Sequence, residues 1–145
     1  MQITSTAFEA GKSIPSKYTC DGENTNPSLA ILEAPENAKS LVLILDDPDS
    51  PTGTWIHWLM WNIDPSTGII AENSVPEGAV QGTTSFGKAE YGGPCPHSGQ
   101  HRYFFKIFAL DIMLDLDAST DISALEEAMQ GHILDQAEIM GVYSR

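Results

Sequence analysis

The stretch Leu41 to Ile63, LVLILDDPDSPTGTWIHWLMWNI, decides how the chain folds. It opens with the apolar run Leu41 to Leu45, whose bulky and β-branched residues are typical of a buried strand. Three aspartates and a Ser-Pro-Thr-Gly turn follow, and a second apolar strand then carries one polar side chain, His57. Because burying a polar group costs free energy unless the group is paired, we interpret the two strands as walls of a pocket.

Acidic residues dominate the charge of the chain. Seven basic against twenty acidic residues give a formal net charge of −13. This charge strongly disfavours nucleic acid and anionic lipid surfaces as partners, because both are bound through basic patches. An anionic ligand must therefore be held locally, by hydrogen bonds and a few positive groups. The length of 145 residues predicts a single domain, residues 1–145.

The sequence also bears on location and on redox state. No apolar segment approaches the roughly 20 residues that cross a bilayer, and the N-terminus lacks a basic region followed by an apolar one. Cytoplasm is therefore the default expectation, although the mature form of an exported protein would look the same. The two cysteines, Cys20 and Cys95, form no Cys-x-x-Cys metal pattern, and the sequence leaves open whether they are bonded to each other.

Short extended segments joined by turns dominate the rest of the chain. Residues 71–99 contain nine glycines or prolines, too many for a long regular element. Residues 101–112 have strong β-propensity, and period-2 alternation puts mostly apolar side chains on both faces, which predicts a central strand. The pattern as a whole predicts a mainly β fold, an antiparallel sandwich or barrel.

One helix is predicted near the C-terminus. Ser123 and Glu126 have the spacing of a capping box, and apolar residues recur at helical intervals from Leu125 to Met140. Gly131 is expected to weaken this helix by about 1 kcal/mol relative to alanine, and Gly141 to end it.

Polar side chains from three strands are expected to converge. Asp47 ends the first strand, His57 lies within the second, and His101 and Tyr103 begin the third. Imidazole and phenol groups suit a small oxyanion, and Asp47 would orient one of the histidines. The alternative is that His57 and Tyr103 are merely buried polar residues with internal partners.

The Gly92 to Pro96 loop and Arg102 complete the set of candidates. The glycines of the loop would let backbone amides approach a ligand closely. Arg102 lies on the face opposite His101, so we expect it to pair with a carboxylate such as Asp49 rather than to contact the ligand.

Two enzymatic alternatives use the same residues. His57, His97 and His101 with the acidic cluster would form a metal site on a β-barrel, although the His-x-His spacing of such sites is missing. Cys95 with a histidine and Asp47 would form a thiol nucleophile and its base, as in a hydrolase, although no helix N-terminus is evident to lower the thiol pKa. We therefore favour a non-enzymatic binding protein without a cofactor or metal.

Three motifs occur in order along the chain. They are Asp47-Pro48-Asp49-Ser50-Pro51, then Trp55-Ile56-His57-Trp58, then Gly93-Pro94 followed by Gly99-Gln100-His101-Arg102-Tyr103. Together they resemble the phosphatidylethanolamine-binding protein (PEBP) family, also called Raf kinase inhibitor-like proteins. The short chain and the Tyr91-Gly92-Gly93-Pro94-Cys95-Pro96 loop are similar to its prokaryotic branch.

The resemblance implies a Greek-key β-sandwich with an anion pocket for phosphate, acetate or a phosphoethanolamine head group. Carried over by motif, the ligand-binding residues would be Asp47, His57, Gly93, His101 and Tyr103. The rim or support residues would be Asp49, Pro51, Pro94, Cys95 and Arg102. Some family members inhibit kinases or serine proteases, so the resemblance also implies a regulatory role with a protein partner of one of those classes.

Overall fold

Two antiparallel sheets, packed face to face, form the protein. A computed structural model describes all 145 residues. The strands are β1 (Gln2–Thr4), β2 (Leu29–Leu32), β3 (Ser40–Asp47), β4 (Trp55–Ile63), β5 (Ile69–Ile70), β6 (Val80–Gln81), β7 (Gln100–Leu110) and β8 (Ile133–Ser144), and helix α1 covers Ile122–Met129. None of the helices has the length and apolar character that crossing a membrane requires.

The strand order is that of a Greek key. The small sheet has the order β1-β2-β5, and the large sheet has the order β6-β4-β3-β7-β8. Strand β7 returns after a long connection to pair with β3 rather than with β6, the strand that precedes it in the sequence. The predicted antiparallel Greek-key sandwich is confirmed, and β7 is a central strand of the large sheet, as its two apolar faces predict.

Successive side chains of β3 point to opposite faces of the large sheet and enter two separate hydrophobic cores. Leu41, Leu43 and Leu45 enter the inner core, which lies between the two sheets. Val42 and Ile44 enter the outer core, which the large sheet forms with helix α1. The strand is buried on both faces because a layer covers each of them, which explains its unbroken apolar run.

The C-terminal segment differs from the predicted long helix. Helix α1 ends at Met129, and its N-cap is Asp121, whose carboxylate accepts a hydrogen bond from the amide of Ala124. Gly131 adopts a φ of 83°, which ends the helix instead of only weakening it. Residues 133–144 then form β8, which pairs along the whole of β7. The hydrogen bonds to this long neighbouring strand outweigh the helical spacing of the apolar residues.

A bulge in β4 shapes the end of the sheet near the candidate site. Leu45 pairs with Trp58, whereas Asp46 pairs with Ile56, so His57 is the extra residue of the bulge. Bulges redirect side chains and are frequent beside functional sites. Ile56 consequently enters the outer core and Trp58 the inner core, although regular alternation would put both on one face.

Candidate functional site

A cavity of about 350 Å³ lies where β3, β4 and β7 meet the loop of residues 91–97. We call it the anion cavity after the ligand class that the sequence predicts. Five of the predicted residues line it: Asp47, Pro51, His57, Cys95 and His101. The volume is within the range of small-molecule sites. The structure therefore brings together residues that are up to 54 positions apart in the sequence.

His57 is held by the loop opposite its strand. Its Nδ1 lies 2.7 Å from the carbonyl oxygen of Gly92, and because a carbonyl only accepts, Nδ1 carries the proton. The side chain is buried, with 3% of the residue exposed, and this desolvation lowers the pKa of His57 below 6.5. The neutral ring therefore presents Nε2 to the cavity as a hydrogen-bond acceptor.

His101 is held by a carboxylate instead of a carbonyl. Its Nδ1 lies 2.7 Å from Oδ2 of Asp47, while Oδ1 of Asp47 accepts the backbone amide of Asp49. Asp47 is buried, with 3% of the residue exposed, and these hydrogen bonds offset the cost of burying its carboxylate. The pairing fixes the orientation of the imidazole and leaves Nε2 of His101 without a hydrogen bond inside the protein.

Tyr103 packs against both imidazoles but, unlike them, does not line the cavity. The ring centroids of Tyr103 and His57 are 5.3 Å apart, and those of Tyr103 and His101 are 6.4 Å apart. The Tyr103 hydroxyl is buried without a hydrogen-bond partner. Burial, followed by the nearby Asp47 carboxylate, raises the pKa of this phenol far above its usual range, so the hydroxyl remains a donor.

The glycines of the loop of residues 91–97, called here the rim loop, do not present free amides to the cavity. The amide of Gly92 donates to the carbonyl of His57, and the amide of Gly93 donates to Oδ1 of Asn24. A Cβ atom at Gly93 would overlap the carbonyl oxygen of Tyr18. The structure thus places Gly93 in a packing contact outside the cavity lining, which differs from the expectation that its amide faces the ligand.

A disulfide joins Cys20 to Cys95, which settles the question that the sequence left open. The amide of Cys20 also donates to the carbonyl of Pro94, so the rim loop is fastened to the segment before β2 by two adjacent links. Pro94 itself does not line the cavity. Because the thiolate, not the disulfide, is the nucleophile, Cys95 cannot act in the hydrolase alternative in this bonded form.

Arg102 and Asp49 form an ion pair outside the cavity. The guanidinium donates to both oxygens of Asp49 at 2.9–3.0 Å, and the backbone amide of Arg102 donates to the same carboxylate. These hydrogen bonds lower the pKa of Asp49 to about 2. Neither side chain lines the cavity, so Arg102 pairs with Asp49 as expected and ties the loop after β3 to the start of β7.

The metal-dependent alternative lacks a ligand set. No group of three or more histidine, cysteine, aspartate or glutamate side chains has an arrangement that could hold a metal ion. Within the expected set of His57, His97, His101 and the acidic cluster, Nδ1 of His57 and Nδ1 of His101 are already committed to internal hydrogen bonds.

Six further residues line the cavity: Ser50, Thr52, Trp55, Phe86, Pro96 and His97. The sequence indicates His97 only as a metal ligand and Pro96 only as part of the Gly92 to Pro96 loop, and it singles out none of the other four as site residues. Trp55 and Phe86 meet edge to face, with ring centroids 5.6 Å apart, and Phe86 also contacts His57. Trp55 belongs to the Trp55-Ile56-His57-Trp58 motif and lies two positions before His57, so the sequence could have identified it as a site residue. Phe86 lies in a glycine-rich loop whose path no periodicity specifies, so the sequence alone does not place it there.

Comparisons with known proteins identify the family and agree with the fold. A family model described as phosphatidylethanolamine-binding protein matches residues 4–144. A UPF0098 protein of Methanothermobacter thermautotrophicus is 46% identical over 150 residues, which covers 100% of this chain and 99% of that protein. The crystal structure of a PEBP homolog from Chlamydia trachomatis has a TM-score of 0.96 at 43% identity and covers 99% of this chain and 97% of its own. E. coli YbcL, described as a member of the mammalian PEBP family, has a TM-score of 0.93 at 31% identity, with coverage of 99% and 98%. The chain belongs to the phosphatidylethanolamine-binding protein family.

Proposed function

We propose that this protein is a non-enzymatic binding protein whose anion cavity captures inorganic phosphate or the phosphate of a phosphoethanolamine-type head group. The observation that carries the proposal is the pair of imidazoles in one cavity, each fixed through Nδ1 and each with a free Nε2. Groups that are oriented by internal hydrogen bonds need little reordering when a ligand arrives.

The two imidazoles suit a phosphate that keeps one proton. Neutral His57 accepts through Nε2, so a P–OH group can donate to it. His101, when protonated beside Asp47, donates through its Nε2–H to a charged phosphate oxygen. Tyr103 does not line the cavity, but its hydroxyl lies near Asp47, the carboxylate that orients His101.

The rim is also where occupancy would be coupled to a protein partner. Pro51 is exposed and Cys95 is partly exposed, and both line the cavity on loops that join strands. A bound ligand would alter the surface that these loops present. The kinase- or protease-inhibitor role that the resemblance implies is proposed here only as a consequence of ligand binding.

The disulfide bears on the proposed location. Stable disulfides are typical of oxidising compartments and of the cytosol of hyperthermophiles. The bond between Cys20 and Cys95 therefore favours an oxidising location, such as that of an exported protein, over the reducing cytoplasm of the default expectation.

Titration calorimetry with inorganic phosphate and with O-phosphoethanolamine tests the proposal. We expect His57→Ala to weaken both ligands by at least about tenfold, the effect of losing one hydrogen bond to a charged group. His132→Ala is the matched control, because His132 pairs with Asp111 through Nδ1 at 2.8 Å but lies outside the cavity. Unchanged affinity in His57→Ala, or no binding by the wild type at millimolar ligand, would contradict the proposal.

A further inference from the structure

Two aromatic rings form a corner in the wall of the anion cavity, called here the aromatic corner. Trp55 and Phe86 both line the cavity, and their ring centroids are 5.6 Å apart with the ring planes at 79° to each other. Phe86 also meets the imidazole of His57 edge to face, with the two centroids 5.3 Å apart. A ligand that reaches His57 is therefore close to aromatic surface.

Phe86 is held at the cavity although it is 42% exposed. The turn that carries it is fastened to β4, because the amide of Ile56 donates to Oγ of Ser85 and the amide of Ser85 donates to the carbonyl of Ile56. The ring also lies against Gly92, where an added Cβ would overlap it. Phe86 is thus fixed in place and accessible to a ligand in the cavity.

The acceptors of the cavity are poorly suited to a primary ammonium group. Asp47 is the only carboxylate among the lining side chains, and its two oxygens already accept hydrogen bonds from His101 and from the amide of Asp49. The hydroxyls of Ser50 and Thr52 lie 3.5 Å apart and bond to each other. A primary ammonium is strongly hydrated and needs acceptors for its N–H groups when it leaves water. A quaternary ammonium has no N–H group, and aromatic faces attract it directly.

The charge of the whole molecule acts in the same direction. A formal net charge of −13 repels a phosphate but attracts the positive end of a zwitterionic ester. A phosphate ester with a cationic group therefore avoids part of the long-range repulsion that inorganic phosphate meets.

We propose that the ligand of the anion cavity is a phosphate monoester that carries a quaternary ammonium group, of the phosphocholine type. This inference rests on the proposed function, which places the phosphate at Nε2 of His57 and of His101. The quaternary ammonium group lies in the aromatic corner, against Trp55 and Phe86. A monoester keeps a P–OH group that can donate to Nε2 of His57, whereas a phosphodiester, such as the head group of a choline lipid, has none and binds more weakly.

Titration calorimetry at a pH of about 6, where a large share of a phosphate monoester keeps its second proton, tests the proposal. The probes are O-phosphocholine, O-phosphoethanolamine, glycerophosphocholine and neohexyl phosphate. We expect O-phosphocholine to bind at least about threefold more tightly than each of the other three. Neohexyl phosphate has the shape of O-phosphocholine with carbon in place of nitrogen, so this comparison isolates the charge. A site that is only apolar would bind neohexyl phosphate at least as tightly.

Three leucine variants show whether the aromatic corner is responsible. Phe86→Leu keeps an apolar side chain but removes the ring, so it should reduce the preference for O-phosphocholine over neohexyl phosphate by about two- to fivefold. Trp55→Leu should do the same. Phe104→Leu is the matched control, because this ring lies 5.6 Å from the guanidinium of Arg102 and outside the cavity. It should keep the wild-type preference. Inorganic phosphate should bind to Phe86→Leu with nearly unchanged affinity, because it does not reach the corner.

The inorganic phosphate titration separates failure of this inference from failure of the proposed function. If inorganic phosphate binds but neohexyl phosphate, O-phosphoethanolamine or glycerophosphocholine binds as tightly as O-phosphocholine, this inference is wrong and the proposed function stands. The same conclusion follows if both Phe86→Leu and Trp55→Leu keep the wild-type preference. If the wild type does not bind inorganic phosphate, the proposed function is overturned and this inference with it.

Discussion

The two histidines of the anion cavity differ in the atom that holds Nδ1. A carbonyl holds His57, and a carboxylate holds His101. The carbonyl fixes the tautomer but adds no full charge, so burial dominates and lowers the pKa of His57. Two identical side chains thus acquire different roles through their hydrogen-bond partners. Nε2 of His57 accepts a hydrogen bond, whereas Nε2 of His101 donates one when that ring is protonated.

This difference predicts that binding of a fully ionised anion takes up a proton. Sulfate carries no proton that could reach Nε2 of His57, so a complex with sulfate favours the charged form of this ring and raises its pKa. Affinity for sulfate should then fall as the pH rises from about 5 to 8, by at most about tenfold per pH unit for one proton. Calorimetry in buffers of different ionisation enthalpy measures the proton uptake directly.

Two histidine variants are the controls for the predicted proton uptake on sulfate binding. In His57→Gln, the slope of the logarithm of sulfate affinity against pH should decrease by up to one unit, which corresponds to one proton per bound sulfate. His132→Ala should keep the wild-type slope. The same slope in the wild type and in His57→Gln would show that His57 does not take up the proton.

The hydroxyl of Tyr103 predicts opposite effects on stability and on binding. It is buried without a hydrogen-bond partner, so Tyr103→Phe should leave the free energy of unfolding unchanged or raise it by up to about 1 kcal/mol. The same change should weaken phosphate severalfold, because the hydroxyl lies near the Asp47 carboxylate that orients His101. Urea unfolding without ligand and phosphate titration give the two values. A clear loss of stability would show that the hydroxyl has a partner in the free protein.

At the scale of elements, the sequence predicts strands better than it predicts the boundary between helix and strand. The apolar run of β3 and the alternation of β7 are strong signals because each strand is long and buried. Segment 133–144 combines helical spacing with strand pairing, and only contact with β7 distinguishes the two. The bulge at His57 also depends on pairing, because the register of β3 against β4 creates the extra residue.

The residues of the candidate site also divide into those that the sequence predicts and those that depend on tertiary contacts. Asp47, His57 and His101 were predictable because each is a polar residue within or at the end of an apolar strand. Phe86 and the packing role of Gly93 depend on how long loops cross the surface, which local sequence does not determine.

The rim loop depends on a link between distant segments. The disulfide from Cys20 to Cys95 closes a separation of 75 residues, so the double variant Cys20→Ser/Cys95→Ser should lose about 2–4 kcal/mol of unfolding free energy. Phosphate should also bind more weakly, because Cys95 lines the cavity and its loop supplies the carbonyl of Gly92 that orients His57. Denaturant unfolding and phosphate titration measure both effects.

Chemical reduction provides the control for this prediction. A reductant should weaken binding in the wild type but have no effect on the double variant, which lacks the bond. Equal stability and equal affinity of the two proteins would mean that the remaining hydrogen bonds alone hold the rim.

At the scale of the whole molecule, the net charge opposes the proposed ligand. A charge of −13 repels an anion at long range, whereas the contacts inside the anion cavity act over a few ångströms. Salt screens the first interaction strongly and the second weakly, because the cavity side chains are buried. The two effects can therefore be separated by changing the ionic strength.

We expect the affinity for sulfate to rise when ionic strength increases from 10 to 150 mM. Coulomb's law for the net charge of −13 on a sphere of roughly 19 Å radius, with Debye lengths of roughly 30 and 8 Å, gives a gain of at most about twentyfold for a dianion. Calorimetry in KCl and in KF separates screening, which depends on ionic strength alone, from competition between sulfate and the anion of the salt, which depends on that anion.

A triple variant of exposed residues, Glu9→Lys, Glu36→Lys and Glu77→Lys, removes roughly half of the net charge and should roughly halve the logarithm of the gain in sulfate affinity. Affinity that falls with both salts, equally in the wild type and the triple variant, would show that local positive charge outweighs the field of the whole protein.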